Sequence, residues 1–578
     1  MIDPELRDWI ERRFALPPSG ASKATTLDRA IAGHVRPGDT VHLGITHSRG
    51  SAAFWELLRR FRGTDPGFTF VAAAASSPFA PLIHAGLARK VITAWAGDSY
   101  WTPGPNPAYQ RAWSRGVAFE HWSLLTLVER LAAAARGDAW AVTGSLIGST
   151  MAENDGVRVL DDGTAMVPAL APDVSIFHAP AASAEGDVLF SPPLMEGLWG
   201  ALAARRGAIV TAERIVEPEF IRAHAHMTKL PAARVLAVVE APLGAHPGGL
   251  VPAGIEGVGG YAEDYEFWVD IREASRDPAA MDAWIEQWVT PGPAAYVDRL
   301  GDERIERLRA RLDPAGYWGP VGAALDETSL SEPPTAIETA IVAGARLIGE
   351  SIDRGGEAIL AGAGMASLAA WLAAFAARDR GVRVDLVAEM GLVGYWPRPG
   401  EPILFNPRNF PTCTMLTDIA GTLGGVIGGG RARGVGALGA AQVDKHGNVN
   451  STEIPGERLL MGSGGANDVL SRARETVLIV PQSQSRFLDR VPYVTGPGDR
   501  VSALASTLGV FRKVDGELVL TEVFADDVAA GVRAGRARCG WDVKVAPEVA
   551  RATPPSPDEL TTLRLMDPAG YFRGKQRS

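Results

Sequence analysis

Cysteine is nearly absent from the 578-residue chain, which holds only Cys413 and Cys539. Two cysteines build neither a disulfide framework nor a thiolate metal site, so a reducing, cytoplasmic setting is expected. Long basic runs are also missing. With 57 Lys and Arg against 67 Asp and Glu, the formal charge is −10, which argues against nucleic acid or an anionic membrane surface as partner. The first residues, Met1-Ile2-Asp3-Pro4-Glu5, are charged and acidic and do not read as a secretory signal. One uncharged stretch, Ala358 to Ala377, approaches bilayer-spanning length. Gly362, Gly364 and Ser367 interrupt it, and alanine replaces leucine, so a buried strand, a turn and a helix are expected there instead.

Familiar catalytic signatures are missing too. There is no Gly-x-Ser-x-Gly elbow and no phosphate loop ending in Gly-Lys-Ser/Thr, which weighs against a serine hydrolase or nucleotide phosphotransferase. His224-Ala225-His226 has no third ligand nearby and is expected to be a surface or polar-core pair, with no metal site.

What is present is a repeat. Asp313-Pro314-Ala315-Gly316-Tyr317 returns as Asp567-Pro568-Ala569-Gly570-Tyr571. Thr40-Val41-His42-Leu43-Gly44, followed by Ser51 to Trp55, has a counterpart in Ala358-Ile359-Leu360-Ala361-Gly362, followed by Ser367 to Trp371. A second apolar strand follows in each copy, at Phe68–Ala72 and at Val382–Val387. Later, Ala182–Val188 parallels Gln442–Val449. Repeated strand, turn and helix predict an α/β protein of two similar domains related by duplication, with mostly parallel sheets. The expected division is 1–312 and 335–578, joined by a linker at 313–334 that is rich in proline and glycine.

The copies differ where chemistry is expected. Val384-Asp385-Leu386-Val387-Ala388 predicts a strand that delivers Glu389 into a turn at Gly391, whereas the first copy has Ala72-Ala73-Ala74-Ala75. A carboxylate on a rigid strand end is a candidate nucleophile or base, expected in one active site between two lobes. Gly462-Ser463-Gly464-Gly465-Ala466-Asn467-Asp468 leaves backbone N–H groups open ahead of a helix and can serve an anion or oxyanion. Gly362-Ala363-Gly364 only partly imitates a dinucleotide fingerprint, and close strand–helix packing explains it better. Glu120, between Phe119 and Trp122, is a second candidate acid or base whose pKa the aromatic neighbours are expected to raise.

Together these segments resemble the family I coenzyme A transferases, especially the glutaconate CoA-transferase branch with its two subunits fused. The resemblance runs through Lys90–Gly97, Phe119–Ser123, Pro172–Ala179, Val239–Pro247, Ala441–Asn450, Gly462–Asp468 and Trp541–Pro547. It implies that Glu389 is the nucleophile, with Gly391 beside it and the Gly462–Gly465 loop next to the thioester. Coenzyme A is then a cosubstrate with no permanently bound cofactor, the partners are an acyl-CoA and a carboxylate, and a homo-oligomer is expected. Glu389-Met390-Gly391 departs from the polar residue many members carry after the glutamate. Leu43–Gly50 departs as well, because many relatives have a more glycine-rich loop there. An ordinary glutamate pKa near 4.3 would leave Glu389 ionised without a partner base. Backbone N–H groups of Gly464 or Gly465 are the expected oxyanion donors. The alternative is a CoA-thioester hydrolase on the same fold, including ring-opening types, that uses Glu120.

Overall fold

The computed structural model describes residues 2–16, 20–99, 101, 103–252, 254–316, 318–319, 321–322 and 332–574. Much of the expected linker, residues 323–331 included, lies outside the described residues. The first sheet contains seven mutually parallel strands: β1 Thr40–Leu43, β2 Phe68–Ala75, β3 Ala88–Ala96, β4 Ala118–His121, β5 Val174–Ser183, β6 Gly207–Val216 and β7 Val235–Glu240. Their order is β7-β6-β5-β1-β2-β3-β4, and a short antiparallel strand pairs with β5. All ten residues of β5 are buried. A central parallel strand covered on both faces takes this continuous small and apolar composition.

The second sheet repeats the plan. Its parallel core consists of β8 Ala358–Ala361, β9 Asp385–Ala388, β10 Gly434–Leu438, β11 Glu475–Val480 and β12 Val501–Ser506, in the order β9-β8-β10-β11-β12. The first sheet contains the same arrangement as β2-β1-β5-β6-β7. The repeat seen in sequence is thus a repeat of topology, with β1 matched to β8 and β2 to β9. Ala358 to Ala377 resolves into β8, a turn at Gly362–Gly364, and the helix Met365–Asp379. Among the described residues, no helix is long and apolar enough to cross a membrane.

The helices that matter for the site begin at strand C-terminal ends. Helix α1, Ser51–Phe61, opens after β1. Helix α2, Leu124–Arg136, follows β4 and has a Ser123–Thr126 capping box, ending at left-handed Gly137. Helix α3, Ala466–Arg472, follows the glycine loop. Open parallel sheets present ligands beyond the carboxyl ends of their strands, and here those ends from the two sheets meet.

Candidate functional site

Glu389 emerges one residue beyond β9 and is held by its own backbone. The Gly391 N–H donates to the Ala388 carbonyl at 3.1 Å. The Thr422 hydroxyl donates to the Glu389 carbonyl at 2.6 Å, from a stretch of π-helix at Ala420–Ile427. Gly391 has φ +126°, and a Cβ there would drive into the Thr417 carbonyl and the Pro193 ring of the first half. A side chain at 391 is therefore disfavoured both by the backbone angle and by the close contact of the two halves.

The glycine loop is the other wall. Its Met461 carbonyl accepts from the Ala96 N–H at 2.5 Å, the Gly464 N–H donates to Ala94 O at 2.9 Å, and the Leu124 N–H donates to Gly464 O at 3.1 Å. Trp95 and Gly462 form an antiparallel bridge. The loop is thus docked, backbone to backbone, on the end of β3 in the opposite half. Asp468 completes the dock by accepting from the Ser123 hydroxyl at 2.6 Å and the Leu125 N–H at 3.1 Å at the N-terminus of α2.

Of the two alternative donors expected, Gly464 or Gly465, the first is committed elsewhere. Gly464 spends its N–H on Ala94. Gly465 donates to Glu389 Oε2 at 3.0 Å, so its N–H holds the carboxylate itself. A Cβ at Gly465 would collide with that same oxygen, so glycine is required for the approach.

Glu389 is not an ordinary carboxylate. Burial raises its pKa to about 7, opposed by the Gly465 N–H and reinforced by the charge of Asp468. Asp468 is itself raised to about 6 by burial, against the hydrogen bonds from α2. The value near 4.3 anticipated from sequence fails because the carboxylate is buried, in a cavity that Trp95, Leu124 and Met195 of the other half also line.

Glu120 is arranged differently. It pairs with Lys90 and with Arg130 at 3.3 Å, and it accepts from the Trp122 indole N–H at 2.7 Å. Burial alone would raise its pKa, but the hydrogen bonds of Lys90 and Trp122, together with the charge of Arg130, bring it below the ordinary value. This overturns the expected upward shift: Trp122 acts on it as a donor, with its ring stacked under Arg130 at 3.9 Å. Glu120 is also absent from the residues lining the cavity at Glu389. His224 Nδ1 donates to the Phe220 carbonyl, 2.9 Å away, and its ring leans on that of Phe220.

The cavity, about 120 Å³, is lined from both halves by Glu389 and Met390, by Ala74 at the end of β2, by Gly364 after β8, and by the apolar run Pro402–Phe405. By strand register Glu389 corresponds to Ala73 of β2, so the first copy carries a bare alanine where the second carries the carboxylate. Arg49, Glu263 and Phe572 also line it and were not picked out from sequence. For Arg49 a signal existed, since it lies in the loop after β1 that departs from the family pattern; Glu263 offered none.

The profile of the Coenzyme A transferase family matches residues 24–241 and 426–518, more than half of the sequence. The chain belongs to the coenzyme A transferase family. It is 30% identical over 277 residues to the A-type subunit of the 3-oxoadipate CoA-transferase of Pseudomonas knackmussii, covering 46% of this chain and 92% of that one. The B-type subunit from the same organism is 30% identical over 155 residues, 23% of this chain and 58% of that one. The A-type subunit of the glutaconate CoA-transferase of Acidaminococcus fermentans is 28% identical over 315 residues, 50% of this chain and 95% of that one. The protein is accordingly a CoA-transferase in which A-like and B-like parts share one chain. Its fold is similar to that of an acyl-CoA transferase from Escherichia coli O157:H7 in a thioester complex with CoA. That likeness spans 95% of this chain and 97% of the other, with a TM-score of 0.61 at 15% identity.

Proposed function

We propose that the enzyme moves CoA from an acyl-CoA to a free carboxylic acid through covalent intermediates on Glu389. The observation that carries this reading is the Glu389 carboxylate, aimed into a cavity between the halves and held by the Gly465 N–H. Glu389 attacks the thioester carbonyl, giving an acyl-glutamyl anhydride and CoA thiolate. The thiolate attacks the glutamyl carbonyl and releases the acyl group as a carboxylate, leaving a glutamyl-CoA thioester. An acceptor carboxylate runs the same steps in reverse and departs as the new acyl-CoA.

The Gly465 hydrogen bond gains a second use here. When thiolate adds to the glutamyl carbon, negative charge develops on a glutamyl oxygen, and a donor already aimed at Oε2 is placed to receive it. One such donor is typically worth about 3 kcal/mol in the transition state. The raised pKa also helps, because a more basic carboxylate is a better nucleophile. With the value near 7, about half the sites are ionised at pH 7, so little is lost in population. Anhydrides hydrolyse readily, and the apolar walls of the cavity serve to keep water out. The hydrolase alternative is not favoured: Glu120 is engaged by two cations and lies off the cavity. The relatives are named for different acids, so their names do not select one acyl group for this enzyme.

The test is acceptor dependence. With a matched acyl-CoA donor, release of free acid should require a carboxylate acceptor for sustained turnover. Continuous CoA release with no acceptor would mark a hydrolase.

A pH profile follows from the site. Only ionised Glu389 attacks, so transfer should rise with pH and level off above about 7. Asp468→Asn removes the like charge beside it, and the half-maximal point should move down by about 0.5–1 unit. Arg472, which acts on Asp468, and Glu129, on which Asp468 acts, are left in place by that change. A limb that stays fixed in the variant would show that another group controls the rate.

A further inference from the structure

Ahead of residue 24, where the family profile begins to match, the chain forms a helix, Pro4–Arg13, that the transfer chemistry does not use. Asp3 caps it, its carboxylate accepting from the Glu5 N–H at 2.8 Å. Ion pairs of Arg7 with Glu11 and Arg12 with Asp8 brace its polar side. Leu6, Trp9 and Ile10 follow the three- and four-residue spacing of one helix face, with Ile2 and Phe14 at its ends. All five are exposed, Trp9 at 53% and Phe14 at 75%, and no residue of the helix is buried. Helices shorter than about 12–15 residues are marginal alone in water and draw their stability from packing an apolar face. Among the described residues, nothing buries this one.

A second apolar face stands uncovered elsewhere on the chain. The antiparallel sheet of Trp140–Thr143, Ala165–Pro168 and Arg158–Val159 turns Ala141, Thr143, Ala165 and Val167 inward, all of them buried. A solvated outer face of such a sheet normally carries polar side chains. This one carries Trp140, Val142, Met166 and Pro168. Val142 is 62% exposed, and the Arg158 guanidinium lies over the Trp140 ring at 4.5 Å. Leu160 borders the patch, and the exposed turn beside it, Asp161-Asp162, is acidic. The sheet is tied to the end of β4, where the Asn154 side-chain amide donates to His121 O at 2.7 Å. The N-terminal segment is pinned to the opposite edge of the first sheet: the Val238 N–H of β7 donates to Lys23 O at 3.0 Å, and the Thr25 N–H donates to Val238 O at 2.9 Å. Seven strands at about 4.8 Å spacing put roughly 29 Å between those edges.

We propose that the helix Pro4–Arg13 is an exchange arm that covers the outer face of this small sheet on a second copy of the chain, and that the second copy's helix covers the sheet in return. Leu6, Trp9 and Ile10 meet Val142, Met166 and Pro168, and the basic end of the helix, Arg12-Arg13, meets the Asp161-Asp162 turn. One short helix buries too little to hold two copies together, but reciprocal exchange makes the contact twice and closes a symmetric pair. The inference does not rest on the transfer mechanism, because both walls of the catalytic cavity come from one chain.

Sedimentation velocity on the full chain tests this. The wild-type protein should sediment at an even multiple of the chain mass. Trp9→Glu on the helix and Val142→Glu on the sheet should each halve that mass, because each places a charge in both copies of the contact; the dissociation constant should rise by at least about 100-fold. Val514→Glu, at an exposed apolar position on another surface, should leave the mass unchanged. These positions are exposed, so the fold should survive, and thermal melts check it. Limited trypsin digestion reads the same contact on the unsubstituted chain: cleavage after Arg7, Arg12 and Arg13 should be slow in the assembly and speed up on dilution. A wild-type monomer would overturn the assignment and leave the helix to some other partner. So would a Trp9→Glu protein that stays assembled, a Val142→Glu protein that stays assembled while Trp9→Glu dissociates, or cleavage of the helix at a rate that dilution does not change.

Discussion

Glu389→Gln is expected to lower acceptor-dependent CoA transfer by at least about 10⁴-fold, on the scale seen when a covalent nucleophile is removed. The amide keeps the size of the side chain and can still accept from the Gly465 N–H through its carbonyl oxygen, so acyl-CoA binding should survive. Stability should move the other way. The Glu389 pKa is raised from 4.5 to about 7 in the folded protein, which means that folding disfavours the ionised form. The penalty is absent below pH 4.5, grows between 4.5 and 7, and is complete above 7. Glutamine removes it, so the variant should gain up to about 3 kcal/mol at pH 8 and little at pH 4. Thermal melts at the two pH values measure this. Glu120→Gln provides the contrast: it breaks contacts with Lys90 and Arg130 away from the cavity and should cost much less transfer. A greater loss at Glu120 than at Glu389, with CoA release independent of acceptor, would reverse the assignment.

Gly465→Ala should be the next most damaging change, lowering transfer by about 10²–10³-fold. The added methyl would occupy the space of Glu389 Oε2 and would also press on Leu423. The carboxylate must then swing away, losing this backbone donor and its line to the thioester. Substrate binding remote from the carboxylate is untouched, so the loss should fall on kcat more than on KM. A variant with normal kcat would mean that the 3.0 Å contact between Gly465 and Glu389 does no catalytic work.

Some of this was legible in the chain and some was not, for identifiable reasons. The duplication could be read because paired strands and glycine turns recur in order, and β2-β1-β5-β6-β7 against β9-β8-β10-β11-β12 is its structural form. Glu389 stood out because an apolar strand that ends in an acid and a glycine is locally unusual. Its pKa could not be read, since its burial arises only when segments distant in sequence close over the strand end. Glu120 misled for the opposite reason: Trp122 looked like an apolar cover but donates its N–H, and the cations Lys90 and Arg130 reach it from β3 and α2. The glycine loop announced free N–H groups, yet docking on β3 consumes one of them at Ala94. Arg49 and Glu263 are paired only by tertiary packing, and neither stretch contains a pattern that points to the other.

The central claim is a covalent bond to one side chain. The enzyme is incubated with acyl-CoA in the absence of acceptor, treated with borohydride, digested and examined by peptide mass spectrometry. Reduction of a glutamyl-CoA thioester converts the side chain to an alcohol, and the account predicts this change on the peptide containing Glu389 and nowhere else. Rapid acceptor-dependent transfer with Glu389 unmodified, or the change found at Glu120 instead, would contradict it.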